Sequence, residues 1–392
     1  MLRSLYSGIS GLRSHQTMLD VTGNNIANVN TVGFKSSAVQ FQDTLSQVVK
    51  SGTGAQVEAG GTNPAQVGLG VQVAAIATNF AQGSAQATGK GTDLMISGDG
   101  FFLVQSGTES RYTRNGAFDF DSLGRLVTAD GSFVQGRTAD ANGKIPVGAA
   151  TGNIKLPLQA TIPGNRTTRA DLGGNLPADI ADGTVLSREI TVYDAVGKES
   201  KLDVTFTKTP GGWDVSDGKG GAPTPLAFDA AGKLSVPAAP GEMLVGGVTV
   251  NLSKVTGFAK LSTIAVNSQD GSKPGTLTAF TISGDGTVLG TFSNGETRSI
   301  AQIALATFAN PGGLEKAGGS TYRASANSGQ AVLGAAGDPG FGQVTGGSLE
   351  MSNVDLSQEF TNLIVAQRGF QANARIITTS DEVLQELTNL KR

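Results

Sequence analysis

The sequence predicts a mainly β protein with terminal α-helices, and three observations lead there. Both ends carry a seven-residue apolar repeat, the interior alternates short apolar runs with Asn-Gly and Asp-Gly turns, and 56 of the 392 residues are Gly. Seven-residue repeats keep one stripe of a helix against a partner helix. Asn-Gly and Asp-Gly between alternating runs are hairpin signals.

The chain opens on a helix in which Leu2, Leu5, Ile9, Leu12 and Leu19 follow three- and four-residue steps, with Gln16 at the one missed position and no proline before Pro64. Gly8 and Gly11 weaken it, each costing about 1 kcal/mol against alanine. Asn24, Asn25, Asn28 and Asn30 favour its termination. Gly33-Phe34-Lys35 and a polar, Gln-rich connector follow, to about residue 70.

Residues 71–135 read as a β domain, with Leu94-Met95-Ile96, 101–104 and Leu126-Val127 separated by Asn115-Gly116 and Asp130-Gly131 turns. Residues 145–272 add prolines and further short strands (190–193, 202–206 and 247–252) and read as a second all-β unit. Hairpin spacing returns over 276–299 at Gly284-Asp285-Gly286 and Asn294-Gly295. A buried strand is expected over 303–308, then a loop-rich stretch over 334–347.

The last forty residues carry the longest helical repeat. Leu356, Leu363, Phe370, Ile377 and Leu384 form one series and Ile376, Val383 and Leu390 a second, which widens the apolar face. Asp355 is the expected N-cap, and Gln358 completes a capping-box pattern. At 1.5 Å per residue, a helix over 356–390 is on the order of 50 Å long and needs a partner. The first helix is the obvious one, either in a hairpin that clamps the termini of one chain or in a seam between subunits. Because Gly8, Gly11 and Gly369 weaken both helices, the ends are expected to be poorly ordered in a free subunit and to fold between subunits.

Several functions are disfavoured. A net charge of −3 supplies no basic face for nucleic acid. No apolar run is long enough to cross a membrane, and the N-terminus lacks a secretory signal pattern, so export by the general route is not expected. His15 is the one histidine and there is no cysteine, which argues against a zinc site or a histidine-based triad. Asp119, Asp121, Gly124 and Asp130 match positions of a calcium-loop template, but Leu123 breaks it and the segment alternates like a hairpin. Neither phosphate-binding glycine loops nor Gly-x-Ser-x-Gly occur. No cofactor is predicted.

The terminal residues carry a resemblance. The run Leu5-Tyr6-Ser7-Gly8-Ile9-Ser10-Gly11-Leu12, then Leu19-Asp20-Val21, Gly23-Asn24-Asn25-Ile26-Ala27-Asn28 and Gly33-Phe34-Lys35, resembles one signature of the bacterial flagellar rod and hook family. Leu349-Glu350, Ser352-Asn353-Val354-Asp355-Leu356, Ala366-Gln367-Arg368 and Phe370-Gln371-Ala372-Asn373-Ala374 are similar to the other. Interior runs such as Tyr112-Thr113-Arg114-Asn115-Gly116 and Thr191-Val192-Tyr193-Asp194 are similar to hook members of that family.

The resemblance implies nested, discontinuous domains: paired, coiled-coil-like terminal helices from 1–30 and 355–392, a connector at 31–70, a β domain from 71–146 and 273–345, and an inserted outer β domain at 147–272. It implies a non-enzymatic structural subunit that self-assembles into a curved tube, a universal joint carrying torque from rod to filament outside the cell. Implied partners are further copies of the chain, distal rod, hook cap and junction proteins, and the flagellar type III export apparatus. The candidate self-assembly residues are Leu5, Ile9, Leu12 and Leu19 on the first helix and Leu356, Phe360, Leu363, Phe370, Ile377 and Leu384 on the last. Phe41 and Leu45 resemble an export motif, although an apolar pair four residues apart is common. The alternatives are a rod or junction subunit of the same family, or a secreted β-rich adhesin or hydrolase with helical oligomerisation ends.

Overall fold

The computed structural model describes residues 2–54, 60–140, 143–146, 148, 150–157, 161–218, 220, 222–237 and 241–389. It is mainly β, with one long helix at each end: α1, Leu2–Ala27, and α2, Leu356–Asn389. Two compact units divide the chain, one of Met1–Leu156, Thr281–Leu289 and Ser299–Arg392, the other of Pro157–Phe280 and Gly290–Arg298.

In the first unit α1 and α2 pack against each other. The two helices pair within one chain, the hairpin arrangement of the two alternatives. Glycine is the physical reason. A Cβ at Gly11 would lie 2.6 Å from Asn373 Oδ1, and one at Gly369 would lie 2.5 Å from the His15 ring. The residues that weaken each helix alone are those that make room for a side chain of the other helix, and buried contact offsets the lost propensity.

The cap on α2 is half as expected. Asp355 Oδ1 accepts the Ser357 and Gln358 N–H groups at 2.8 and 3.2 Å, satisfying donors that the first turn leaves free. Gln358 does not reach back: its Nε2 donates forward to Asn362 Oδ1 at 3.1 Å.

The expected connector is not featureless. Strand Ser37–Asp43 pairs antiparallel with Val71–Thr78 and packs on α1, while Ser46–Lys50 pairs with Ala65–Gly68 as an exposed ribbon. Clear polar–apolar alternation is confined to Val39-Gln40-Phe41-Gln42, too short a period-two signal to stand out from a polar connector.

The β part of this unit is built on a run of antiparallel strands ordered Thr297–Thr307, Phe133–Thr138, Phe101–Ser106, Glu109–Thr113, Thr321–Arg323 and Glu315–Gly318. Strand Thr297–Thr307 contains the expected buried run, with Ile303, Leu305 and Ala306 fully enclosed. Alternation divides Phe101–Ser106 between two faces. Phe101 and Leu103 join Tyr112, Phe308 and Tyr322, whereas Phe102 stacks edge-on against Phe118 at 5.1 Å. The stretch 334–347 read as loop contributes strands Val332–Ala335 and Gln343–Gly346.

The second unit is two sheets over one core. One holds Glu242–Val245, Val248–Thr256, Arg169–Asn175 and Ala265–Gln269, and the other Val185–Tyr193, Glu199–Thr209, Gly212–Ser216, Thr224–Phe228 and Leu234–Val236. Alternate residues Leu202, Val204 and Phe206 meet Trp213, Val250 and Leu252 inside.

Candidate functional site

The helix pair is the candidate site, and its buried positions on α1 differ in register from the leucine series. On α1 the most buried positions are Gly8, Gly11, Ser14, Thr22 and Asn25, with His15 turned to Gly369. On α2, Ala366 is wholly enclosed and Leu363, Phe370, Ile377 and Leu384 are half-buried. From Leu363 onward the sequence repeat on α2 thus faces inward, whereas its first member, Leu356, is exposed. On α1, Leu5, Leu12 and Leu19 are half-buried at its flank, and Ile9 is exposed.

Apolar side chains remain outside the seam. Leu356, Phe360 and Ile364, spaced four residues apart, make one ridge along α2, with Phe360 52% and Ile364 56% exposed. Val365, Ile376 and Val383 are exposed as well. The second apolar series expected to widen the buried face does so only in part: Ile376, 44% exposed, still sets Cγ2 beside Gly8, Val383 is 42% exposed, and Leu390 lies outside the described residues. Tyr6, Ile9 and Arg13 of α1 line a groove with Leu69, Val71 and Val73.

Phe41 lies on the strand against α1, its ring 5.9 Å from that of His15, and Leu45 is 82% exposed at the strand's end. Nothing brings them together as one motif. His15 Nδ1 is buried without a hydrogen-bond partner.

The calcium-like segment folds as a hairpin, Phe118–Phe120 against Leu126–Thr128. Asp121 accepts the Leu123 and Arg125 N–H groups and pairs with Arg125 Nε at 2.6 Å. Hydrogen bonding from the Arg125 backbone, above all, holds its carboxyl below the usual range. Asp119 is likewise lowered by the Phe120 N–H, then by Lys90 at 3.1 Å. Among the described residues no group of three or more His, Asp or Glu is placed to hold a metal ion.

Sequence reasoning missed the polar fastenings. Asn25, buried on α1, donates to Ser37 O at 2.8 Å and Glu359 Oε1 at 3.1 Å and accepts the Ser37 N–H at 3.0 Å, so one amide ties α1, strand Ser37–Asp43 and α2. Lys35 and Glu350 side chains are wholly buried and joined at 2.6 Å, and Arg114 Nη1 reaches the other Glu350 oxygen at 3.4 Å. Burial pushes the Lys35 pKa down against the opposing pull of Glu350, and burial likewise lowers that of Arg114. Gly33, at φ +67°, lets this segment press on Asn115, whose N would lie 2.6 Å from a Cβ. Lys35, Arg114 and Glu350 each stood inside a quoted motif. What was missing was any signal that they meet.

Three segments match known families: residues 5–35 the flagella basal body rod protein family, 95–168 the flagellar hook protein FlgE/F/G D1 domain, and 345–390 the flagellar basal body rod FlgEFG protein C-terminal family. A Borreliella burgdorferi protein named flagellar hook protein FlgE is 42% identical over the whole of both chains.

The chain belongs to the flagellar hook and rod family.

A family member from Bacillus subtilis named flagellar basal-body rod protein FlgG is 37% identical, again over the whole of both chains. The crystal structure of Helicobacter pylori flagellar hook protein FlgE2 matches 68% of this chain and all of its own, with a TM-score of 0.50 at 16% identity, a likeness of fold. In this family member the two terminal matches cover most of α1 and α2, and their ends supply Lys35 and Glu350.

Proposed function

We propose that this chain is a structural subunit of the bacterial flagellar hook, self-assembling into a curved tube outside the cell that carries torque from rod to filament. One observation carries the reading: the helix pair, complete within one chain, still exposes the ridge Leu356, Phe360 and Ile364. That is surface for further copies of the same chain. Its role is mechanical and not enzymatic.

The nesting expected from sequence is part of the proposal, with 1–30 and 355–392 innermost, 71–146 and 273–345 around them, 147–272 outermost and 31–70 connecting. Distal rod, cap and junction proteins are the proposed partners at the ends of the tube. A type III apparatus is the proposed export route, with Phe41 and Leu45 read before folding. A rod subunit is the second reading, because a rod-named relative matches the whole chain. Family membership takes the place of the adhesin alternative.

Electron microscopy of the full chain under polymerising conditions, beside a chain lacking 1–30 and 353–392, tests the reading. Curved tubes from the intact chain alone support a hook, and straight tubes favour the rod. A discrete oligomer that survives truncation refutes both.

A further inference from the structure

Within the first unit, three passages of chain join the helix pair and the strand pair Ser37–Asp43 and Val71–Thr78 to the remaining β strands: 28–36 leaving α1, 79–84 leaving Val71–Thr78, and 350–355 entering α2. All three converge on one carboxylate. Glu350 Oε1 accepts Lys35 Nζ from the first passage and the Gly83 N–H, at 2.8 Å, from the second. Lys35 Nζ also donates to Ala81 O at 2.7 Å. Arg114 approaches from the end of strand Glu109–Thr113, bonding Glu350 Oε2 with Nη1 and Gly98 O with Nη2 at 2.9 Å. Asn353 ties the same passages on the outer side, accepting the Ser36 N–H and donating to Asn79 O and Ala81 O.

Such a cluster is a poor device for stability. Removing three charged groups from water costs heavily, and apolar residues of similar volume commonly serve as well or better. Two cations face one carboxylate, and Arg114 Nε is buried without a partner. Direction is what the cluster supplies. Apolar contacts are non-directional and let packed elements slide, whereas charge-assisted hydrogen bonds hold only in a narrow geometry. The geometry points to Lys35, Arg114 and Glu350 as positioning residues, a latch that sets one angle between the terminal helix pair and the β domain of the first unit. In a tube, that latch would transmit torque from the helical seam to the outer surface. This consequence rests on the proposed hook function, and the latch itself does not.

The chain has no cysteine, so a Thr108→Cys and Gln371→Cys pair, both exposed, places one spin label on the β domain and one on α2. Double electron–electron resonance on the full-length monomer reads the angle, beside thermal unfolding. One narrow distance is expected with the native cluster. Broad or multiple distances are expected in the charge-free variant Lys35→Met/Arg114→Met/Glu350→Met while its melting temperature is kept. An equally narrow distance in that variant overturns the latch. If the triple variant does not fold, Lys35→Met, which leaves Arg114 and Glu350 as a balanced pair, gives the same reading with the same two outcomes. Motility of cells carrying the folded variant is a separate arm. Broadened distances with normal swimming would retain the latch and refute its part in torque transmission.

Discussion

Replacing Gly369 by alanine sets two effects of known size against each other. Alanine gains about 1 kcal/mol of helix propensity over glycine in a helix interior. A Cβ there, however, would lie 2.5 Å from both Cε1 and Nε2 of His15 and 2.8 Å from its Nδ1, so the whole imidazole must move. Overpacking of that kind costs about 1–3 kcal/mol, and the net expectation is neutral to about 2 kcal/mol destabilising. Gly8 is the internal control. Its Cβ would meet Ile377 Cγ1 at 3.5 Å and Asn373 O at 3.6 Å, ordinary contact, so Gly8→Ala should stabilise by about 0.5–1 kcal/mol. Urea unfolding of the full-length monomer, followed by far-ultraviolet circular dichroism, reports mainly on α1 and α2. His15→Ala should erase the penalty of Gly369→Ala in a double-mutant cycle. If Gly369→Ala stabilised as much as Gly8→Ala, or kept its penalty without the imidazole, close approach would not be the reason for the glycine.

Other substitutions test other joints. Asn25→Ala leaves the Ser37 backbone groups without their partner and should cost about 1–3 kcal/mol, seen as faster amide exchange at Ser37. Ile364→Asp, on the exposed ridge, should abolish tube formation while leaving monomer stability within about 0.5 kcal/mol; tubes of normal yield by electron microscopy would remove that ridge from the interface. Leu363→Asp is a less clean test, since Leu363 sits in the intrachain seam and a charge there disturbs the fold as well. Tyr322 is buried, and burial pushes its phenol up to about 12 from an ordinary 10.0. The folded state therefore holds that proton more tightly than the unfolded one, and stability should fall by about 2–3 kcal/mol as pH rises from about 10 to about 12. Tyr322→Phe should lack that loss in alkaline denaturation profiles. Lys35, whose folded pKa is lowered, contributes stability in the opposite sense below its ordinary value of 10.5, and the comparison cancels it because both proteins carry it.

Local pattern determined the two long helices, the Asp355 cap and the inward stripe Leu363, Phe370, Ile377 and Leu384, since a seven-residue repeat is a property of the chain itself. Gly turns between alternating runs likewise specified hairpins such as the one at Asp119–Asp130. Tertiary structure decided what those elements touch. Gly11 and Gly369 read as weak points in isolated helices and become the places that admit Asn373 and His15 of the facing helix, because propensity measures one helix in water while packing depends on the other. For the same reason the α1 seam runs through Gly8, Gly11, His15 and Asn25 and leaves Ile9 outside. Lys35, Arg114 and Glu350 lie in three separate segments of the chain, and no periodicity announces that a lysine will be wholly buried. Only the convergence of three chain passages removes that ammonium from water, and a desolvated charge must then find its partner.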